Sequence, residues 1–398
     1  MRSRLVLTLL VTLLFGFIAP PTAEAAPQLL NPRVEYTFGG QITFRVDLQS
    51  DGLPREVRLF YRNLVEAQPV SVAVPVNEQG EVAYAYDLMR SPLRAFSKLE
   101  YWFEVTMENG EVTKSSAQIF FYEDNRYTWK RLKEGSFQVN WYEGDDAFGQ
   151  SLMEVARKGL EQTRRWLPFA EPEEINIYAY ASVLEMQSTL RLAGANWVAG
   201  HADPDLGVMV VSIPDGPTQR VEMERQIPHE LLHILLYQLT GDPYRLLPAW
   251  LNEGLATISE LYPDPDYYTY LMQAEAKGSL IPLANLCKSF PLDASGAYLA
   301  YAEAGSFARF LYNRVGSEGL WALVQAYVGG ASCESAPEAA LGEKLEQLEG
   351  NWQQATFRPG EALEPEGSLM PWIIVLVVVL GIPLGTVFLV RNKAGRNT

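Results

Sequence analysis

Two of the three histidines in the chain lie four residues apart, in the run HELLH from His229 to His233. On a helix, residues four apart share one face, so both imidazole rings can reach the same metal ion. The intervening Glu230 then lies beside that ion. The spacing predicts a metal site, and the scarcity of histidine lowers the chance of an accidental match. The alternative is a pair of solvated or hydrogen-bonded histidines.

A catalytic zinc site needs a third protein ligand and leaves one position open for water. The run WLNEGLA, from Trp250 to Ala256, supplies Glu253, with nineteen residues between it and His233. A turn at Gly241–Pro243 would let a second helix bring this carboxylate to the histidines. We therefore predict one Zn²⁺ ion held by His229, His233 and Glu253, with Glu230 as the general base.

Composition indicates an ordinary globular protein of more than one domain. The chain has 398 residues, of which 48% are hydrophobic and 20% charged, and its formal net charge is −16. Nucleic-acid binding needs a basic surface, so the acidic balance argues against that class of partner. The H-E-x-x-H spacing is typical of zinc peptidases, so the motif predicts a peptide or protein substrate.

Both ends of the chain carry apolar runs. Residues 1–25 combine Arg2 and Arg4, a short apolar stretch and an A-x-A pattern, which predicts a cleaved signal peptide; the alternative is an uncleaved anchor. Residues 371–390 contain no charge, and a helix of that length matches the bilayer core. A buried core helix is the alternative, but it would show a polar stripe.

The flanking charges predict the orientation of this membrane helix. Residues 358–370 are a polar stalk, and residues 391–398 form a basic tail. Because basic segments stay on the cytoplasmic side, we expect a single-pass membrane protein with the bulk of the chain outside the cytoplasm. There the only two cysteines, Cys287 and Cys333, favour a disulfide over two buried thiols.

Two domains are predicted between these ends. Residues 26–125 alternate polar and apolar positions in short runs with turn signals between them, which is typical of a β-sandwich of immunoglobulin-like or fibronectin-like kind. Asn109-Gly110 predicts a tight hairpin. Residues 126–357 show strands followed by helices, an α+β pattern, and we expect the strand Gly207–Ile213 at the edge of its sheet. Pro228 implies that the motif helix begins there or is kinked there.

The motifs resemble a known group of enzymes. H-E-x-x-H followed by a distant glutamate is the pattern of the gluzincin metallopeptidases, which include thermolysin, and WLNEGLA is similar to the WLNEGFA of the aminopeptidase N family. Residues 130–355 look most like the peptidase MA-like domains of bacterial secreted or anchored proteins. The resemblance implies a zincin-like α+β domain, one catalytic Zn²⁺ and peptide-bond hydrolysis.

The same resemblance implies roles for two further residues. Tyr301 matches the tyrosine that donates a hydrogen bond to the developing oxyanion in aminopeptidase N relatives; Tyr298 is the rival, and a rim or core tyrosine is the alternative. Glu260 matches a glutamate that orients a metal-bound histidine, and it would accept a hydrogen bond from His229; a surface glutamate is the alternative. Thermolysin-type sites place an aspartate where this chain has Thr257, which points to the aminopeptidase N side of the group.

One departure bears on specificity. The aminopeptidase signature G-x-M-E-N, whose glutamate grips a substrate amino terminus, has no counterpart before the motif, and the expected edge strand contains no acid. We therefore expect an endopeptidase rather than an aminopeptidase. The third histidine, His201, is interpreted as a structural residue in a loop or strand end, with a contact to substrate as the alternative.

Two other functions remain open from the sequence. In one, the chain is an anchored, non-catalytic binding protein with a structural zinc domain. In the other, it is a different zinc hydrolase on the same scaffold, since a fold does not fix a substrate.

Overall fold

The computed structural model describes most of the chain between the two apolar ends, in the ranges 26–64, 68–77, 79–88, 93–190 and 200–358. The predicted signal peptide, membrane helix and basic tail, with nearly all of the stalk, lie outside these ranges. Among the described residues, none of the helices combines the length and the apolar character that a membrane crossing needs.

The chain divides into two compact units. The first runs to Leu246 and also includes Leu255–Asp264; the second contains Leu247–Gly254 and the chain from Pro265 onward. The division passes through one continuous helix, α4 (Ala249–Ser259), so this helix belongs to both units.

The N-terminal part of the first unit is a pair of antiparallel sheets with a shared core. Its strands are β1 (Gln28–Tyr36), β2 (Gln41–Gln49), β3 (Pro54–Asn63), β4 (Val70–Ala73), β5 (Glu81–Asp87), β6 (Lys98–Met107), β7 (Val112–Lys114) and β8 (Gln118–Phe121). One sheet has the order β1-β2-β5 and the other β4-β3-β6-β7, with β8 also paired to β6. The predicted β-sandwich is thus present, and the predicted hairpin joins β6 to β7 through Gly110 at φ 87°.

Alternation of side chains explains the sandwich. Along β6, the buried positions are every second residue, namely Leu99, Tyr101, Phe103, Val105 and Met107. A strand sends successive side chains to opposite faces, so one face of β6 lies in the core and the other faces solvent.

A second sheet follows in the same unit. Its strands are β9 (Lys130–Glu134), β10 (Phe137–Trp141), β11 (Ile175–Tyr180), β12 (Gly200–Asp203) and β13 (Val208–Ser212). The order is β12-β13-β11-β10-β9; β10, β11 and β13 are parallel, and the two outer strands are antiparallel to their neighbours. The mixed sheet followed by helices agrees with the expected α+β class.

The expectation about the edge of this sheet was wrong. Gly207–Ile213 corresponds to β13, which lies between β11 and β12 and is buried at every position. The strand at this edge of the sheet is β12, and β9 lies at the other edge; β12 carries the acid Asp203. The prediction of an endopeptidase relied in part on an edge strand without an acid, and that part of the argument is wrong.

Helices α1 (Asp146–Thr163), α2 (Val183–Leu190) and α3 (Gln219–Thr240) also belong to the first unit. Helix α3 carries the HELLH run and contains Pro228 in its interior, nine residues after its start. Of the two alternatives for this proline, a helix start is therefore wrong. Gly159 of α1 faces the proline: a Cβ at Gly159 would lie 3.2 Å from the Pro228 ring, so the two helices pack closely there.

The second unit is helical. It contains the first half of α4 and then α5 (Asp266–Ala276), α6 (Ala294–Val328), α7 (Ser335–Leu341) and α8 (Leu345–Phe357). Gly316 interrupts α6 with φ 67°, so α6 consists of two helical parts that meet at this residue. Cys287 and Cys333 form a disulfide with their Cα atoms 6.0 Å apart. Closing a loop of this length is worth about 4 kcal/mol in a chain-entropy model.

A buried carboxylate in the second unit makes stability depend on pH. Glu303 of α6 is fully buried, and both of its oxygens accept the backbone N–H of Ile281, at 2.9 and 3.2 Å. Burial, with a smaller contribution from the charge of Glu349, raises the pKa of Glu303 to about 8. The folded protein therefore holds a proton that the unfolded chain releases near its ordinary pKa.

The contribution of Glu303 to the free energy of unfolding should be most favourable below about pH 4.5. It should fall by a few kcal/mol as the pH rises to about 8. Glu303→Gln should flatten this part of the curve, measured by urea unfolding at pH 5 and pH 8.5. Glu338→Gln, on the exposed side of α7, is the control that should keep the wild-type pH dependence. An unchanged curve for Glu303→Gln would contradict the assignment.

Candidate metal centre

Three side chains form a group that fits one metal ion. His229, His233 and Glu253 each offer one ligand atom, and these atoms all lie within 4.8 Å of one another. Two imidazole nitrogens and one carboxylate oxygen are the donor set of catalytic zinc sites that keep a position for water. The donor chemistry of this group therefore fits the expected Zn²⁺ ion.

Helix α3 determines how the two histidines face each other. One helical turn separates them, and their ring centroids are 5.3 Å apart. The opposite face of this turn is apolar and buried, with Leu231, Leu232, Ile234 and Leu235 at 0 to 2% exposure. Packing of that face fixes the rotation of α3 and hence the direction of both imidazoles.

Glu260 orients the first histidine. Its Oε1 lies 3.1 Å from Nδ1 of His229, and its side chain is buried. Burial raises the pKa of Glu260, and the contact with His229 opposes that rise. A carboxylate bound to Nδ1 keeps the proton there and leaves Nε2 for a metal ion. The structure thus places Glu260 where the sequence predicted it.

Tyr244 has the same relation to the second histidine, and sequence reasoning missed it. The Tyr244 hydroxyl lies 3.3 Å from Nδ1 of His233, within reach of a hydrogen bond. Tyr244 belongs to a short 3-10 helix, Asp242–Leu246, directly after α3. Its sequence signal is weak, because a tyrosine in a turn after the motif has no spacing rule that ties it to a histidine.

The predicted base, Glu230, lies against the edge strand. It is 8% exposed, and a Cβ built on Gly200 of β12 would come within 2.6 Å of its Oε1. Glycine at this position lets the strand backbone lie beside the carboxylate without displacing it. The position of the Glu230 carboxylate therefore depends on the position of β12.

Within the second unit, α4 packs on α6 close to Glu253. A Cβ on Gly254 would lie 2.5 Å from the Ala304 carbonyl oxygen, and the rings of Trp250 and Phe307 are 5.1 Å apart. Tyr301 lies one turn before Ala304 on α6, so this close helix crossing brings it to the same region as Glu253.

Tyr301 and its rival have different neighbours. The Tyr301 ring contacts Phe290 edge-on, at 5.0 Å between centroids. Tyr298 instead contacts Tyr267 and Tyr270 of α5, at 4.9 and 4.8 Å. Three tyrosines thus form one cluster, and Tyr301 lies outside it.

His201 is part of the edge strand β12. Its Nε2 lies 3.7 Å from Oδ1 of Asp203. Burial alone would lower the pKa of His201, but the contact with Asp203 and the charge of Glu230 outweigh burial, so its pKa is raised. His201 lies outside the group of three possible ligands.

A mixed sheet, a helix with H-E-x-x-H and a glutamate from the next helix together define a metallopeptidase type of domain. The sequence profile of the Peptidase MA superfamily matches residues 156–357, and the chain belongs to that superfamily. The matched region starts within α1, so β9 and β10 precede it. Membership supports a metallopeptidase, and proteins of this superfamily typically depend on zinc.

Similarity to solved structures is distant. An aminopeptidase N family protein from Idiomarina loihiensis is 8% identical, with a TM-score of 0.35 and coverage of 82% of this chain and 75% of that one. A family 76 glycoside hydrolase from a bovine Bacteroides thetaiotaomicron strain is 10% identical, with a TM-score of 0.21 and coverage of 83% and 64%. A polysaccharide deacetylase from Bacillus cereus is 10% identical, with a TM-score of 0.19 and coverage of 47% and 59%.

This chain thus spans less than two thirds of the last two proteins. Similarities at these TM-scores carry no functional weight here. No curated protein matches the chain significantly.

Proposed function

We propose that the chain is a zinc-dependent peptidase that hydrolyses internal peptide bonds. The observation that carries this proposal is the group His229, His233 and Glu253, with Glu230 in the same helical turn as the two histidines. These four residues supply the ligands and the base that hydrolysis by a metal-activated water requires.

The side chains would divide the reaction as follows. His229, His233 and Glu253 would hold a Zn²⁺ ion, which would supply Lewis-acid chemistry and a more acidic bound water. Glu230 accepts a proton from the attacking water and delivers it to the nitrogen of the leaving amine. Tyr301 donates a hydrogen bond to the oxyanion that develops on the scissile carbonyl. Glu260 and Tyr244 hold the two histidine rings in place.

The edge strand β12 is the proposed binding element for an extended peptide. Among the described strands, β12 pairs with β13 alone, so its other side can accept a substrate backbone by β-augmentation. The acid on this strand, Asp203, lies 3.3 Å from the guanidinium of Arg94. A carboxylate already paired with arginine is a poor partner for a free amino terminus, which supports an endopeptidase.

Tyr301→Phe should lower kcat about 10²-fold with little change in KM, because the hydroxyl acts on the transition state. Steady-state kinetics with a cleaved peptide checks this. Tyr298→Phe is the matched control, one turn earlier on α6, and should keep wild-type kcat. If Tyr298→Phe instead carries the loss, the oxyanion donor is Tyr298.

We also propose that the chain is exported and held at a membrane by residues 371–390, with the catalytic domain outside the cytoplasm. The disulfide between Cys287 and Cys333 supports an oxidising compartment. Treatment of intact cells with an added protease would test this placement. We expect the protease to digest the domain, and full protection of the domain would contradict the proposal.

The proposed activity can be tested by incubating the full-length protein with a peptide library, with and without a chelator. We expect cleavage at internal bonds that the chelator abolishes and that added Zn²⁺ restores. Cleavage confined to amino-terminal residues would make the enzyme an aminopeptidase. A complete lack of chelator-sensitive cleavage would favour the non-catalytic binding protein.

A further inference from the structure

We propose that the β-sandwich positions the catalytic base: its segment Arg94–Phe96 holds the edge strand β12 in place, and β12 in turn holds Glu230. Arg94 is the positioning residue in this arrangement and does not itself touch the reacting atoms. The inference rests on the proposed peptidase function, and it gives the sandwich a role in the reaction beyond that of a spacer.

Arg94 ties the sandwich to the far end of β12. Its Nε lies 3.3 Å from Oδ1 of Asp203, the last residue of the strand. Its Nη2 lies 2.6 Å from Oδ1 of Asp205, in the turn that follows the strand. The two carboxylates are 14% and 23% exposed, so the pairs are better shielded from water than an ordinary surface ion pair.

The near end of β12 rests on the catalytic base. Gly200 is the first residue of the strand, and its α-carbon leaves no room for a side chain beside the Glu230 carboxylate. Four residues therefore connect a cation of the sandwich to the base. A shift of the strand at Asp203 moves Gly200, and Glu230 must follow or lose its support.

The sandwich segment Arg94–Phe96 is held in a fixed conformation at Phe96. Phe96 has φ 62°, a conformation that an aromatic residue adopts only when its surroundings enforce it. Its ring is 1% exposed and stacks on Tyr178 of β11, with centroids 4.0 Å apart. Its backbone N–H donates to the Tyr122 carbonyl oxygen at 2.9 Å.

The two anchors of this segment act on neighbouring parts of one sheet. Phe96 is fixed to β11 in the middle of the sheet, and Arg94, two residues earlier, reaches β12 at its edge. A cavity of about 690 Å³ lies beside this contact, lined by Arg94 and Leu93 from the sandwich and by His201 and Asp203 from β12. The strand therefore has open space on this side, and the ion pairs of Arg94 with Asp203 and Asp205 oppose its movement into that space.

Loss of the cation would leave two carboxylates without their partner. Asp203 and Asp205 would then repel each other, while Nε2 of His201 would still lie 3.7 Å from the Asp203 carboxylate. Without the pairs to Arg94, β12 would be less firmly held in its place beside Glu230.

Arg94→Gln in the full-length protein tests the inference with two readouts. We expect kcat for peptide hydrolysis to fall at least about tenfold, because small displacements of a catalytic group are costly, while zinc content stays at the wild-type level. We also expect the backbone amides of residues 200–203 to exchange with deuterium about tenfold faster than in the wild type. Arg94→Lys, which keeps the charge, should restore part of both values.

Arg33→Gln is the matched control. Arg33 is a sandwich arginine of similar exposure, 40% against 43%, and its ion pairs with Asp47 and Glu81 stay within the sandwich. We expect wild-type kcat and wild-type exchange of residues 200–203 for this variant. A fall in kcat for both variants would point to general loss of stability and overturn the inference.

The exchange measurement separates this inference from the proposed function. If the wild-type protein shows no chelator-sensitive hydrolysis, the proposed function fails. Unchanged exchange of residues 200–203 in Arg94→Gln overturns the inference whether or not the protein is active, and so does faster exchange with unchanged kcat in an active enzyme.

Discussion

Replacing Glu230 by glutamine should reduce kcat by about 10³-fold while the protein keeps its zinc. General acid–base catalysis contributes about 10²- to 10⁴-fold in enzymes, and Glu230 is the only predicted proton acceptor of the reaction. Glutamine has the same shape and can occupy the place beside Gly200, but it cannot take a proton from water. Steady-state kinetics on a cleaved peptide, with zinc content measured on the same sample, would give both values.

Glu224→Gln is a suitable control for that variant. Glu224 lies on the same helix, and its side chain pairs with Arg220 at 2.7 Å, away from the group of possible ligands. We expect normal zinc content and normal kcat for it. Wild-type turnover by Glu230→Gln would remove Glu230 from the mechanism, and loss of zinc from it would show that the variant damages the site itself.

His233→Ala should abolish stoichiometric zinc binding. A structural zinc site gains about 10–16 kcal/mol in total from its ligands, so removing one of them should weaken affinity by about 10²-fold or more. His233 is also buried and would leave a small cavity beside the Tyr244 hydroxyl. Isothermal titration of the metal-free protein with Zn²⁺ measures the effect, and activity at limiting zinc should fall with it.

The third histidine provides the control for this experiment. His201→Ala removes the same ring from a residue outside the group of possible ligands, so its zinc affinity should equal that of the wild type. Equal zinc affinity in His233→Ala and the wild type would contradict the proposed ligand set.

More of the metal site than of the supporting sheet could be predicted from the sequence. Helical geometry alone places His229 and His233 on one face, and the expected neighbour of His229, Glu260, is where the structure has it. Both inferences depend on residues close in sequence or matched by the resemblance. The general order, a sandwich of short strands followed by strands and then helices, was also predicted, because hydrophobic periodicity and turn residues are local signals.

Strand order was not predictable by the same means. The segment Gly207–Ile213 contains four successive apolar residues, 208–211, which is typical of a parallel strand buried on both faces, as β13 is. The prediction of an edge strand there did not use this signal. The true edge strand, β12, has four residues and no β-branched side chain, so it gives little signal.

Contacts between distant residues were also beyond the sequence. Gly200 lies thirty residues before Glu230, and Arg94 more than a hundred residues before Asp203 and Asp205. No spacing rule connects such pairs; they meet because the sandwich packs on the same sheet that carries β12. Tyr244 was missed for a related reason, since its turn brings it back to His233 only in three dimensions.

Stoichiometric reactivation of the metal-free protein is the most direct test of the central claim. The full-length protein, stripped of metal by a chelator, is titrated with Zn²⁺ while hydrolysis of a susceptible peptide is followed. We predict that activity rises linearly and stops rising at one Zn²⁺ per chain, and that Glu230→Gln takes up the same one ion without gaining activity. Hydrolysis that is independent of added zinc, or that appears equally in Glu230→Gln, would contradict the account.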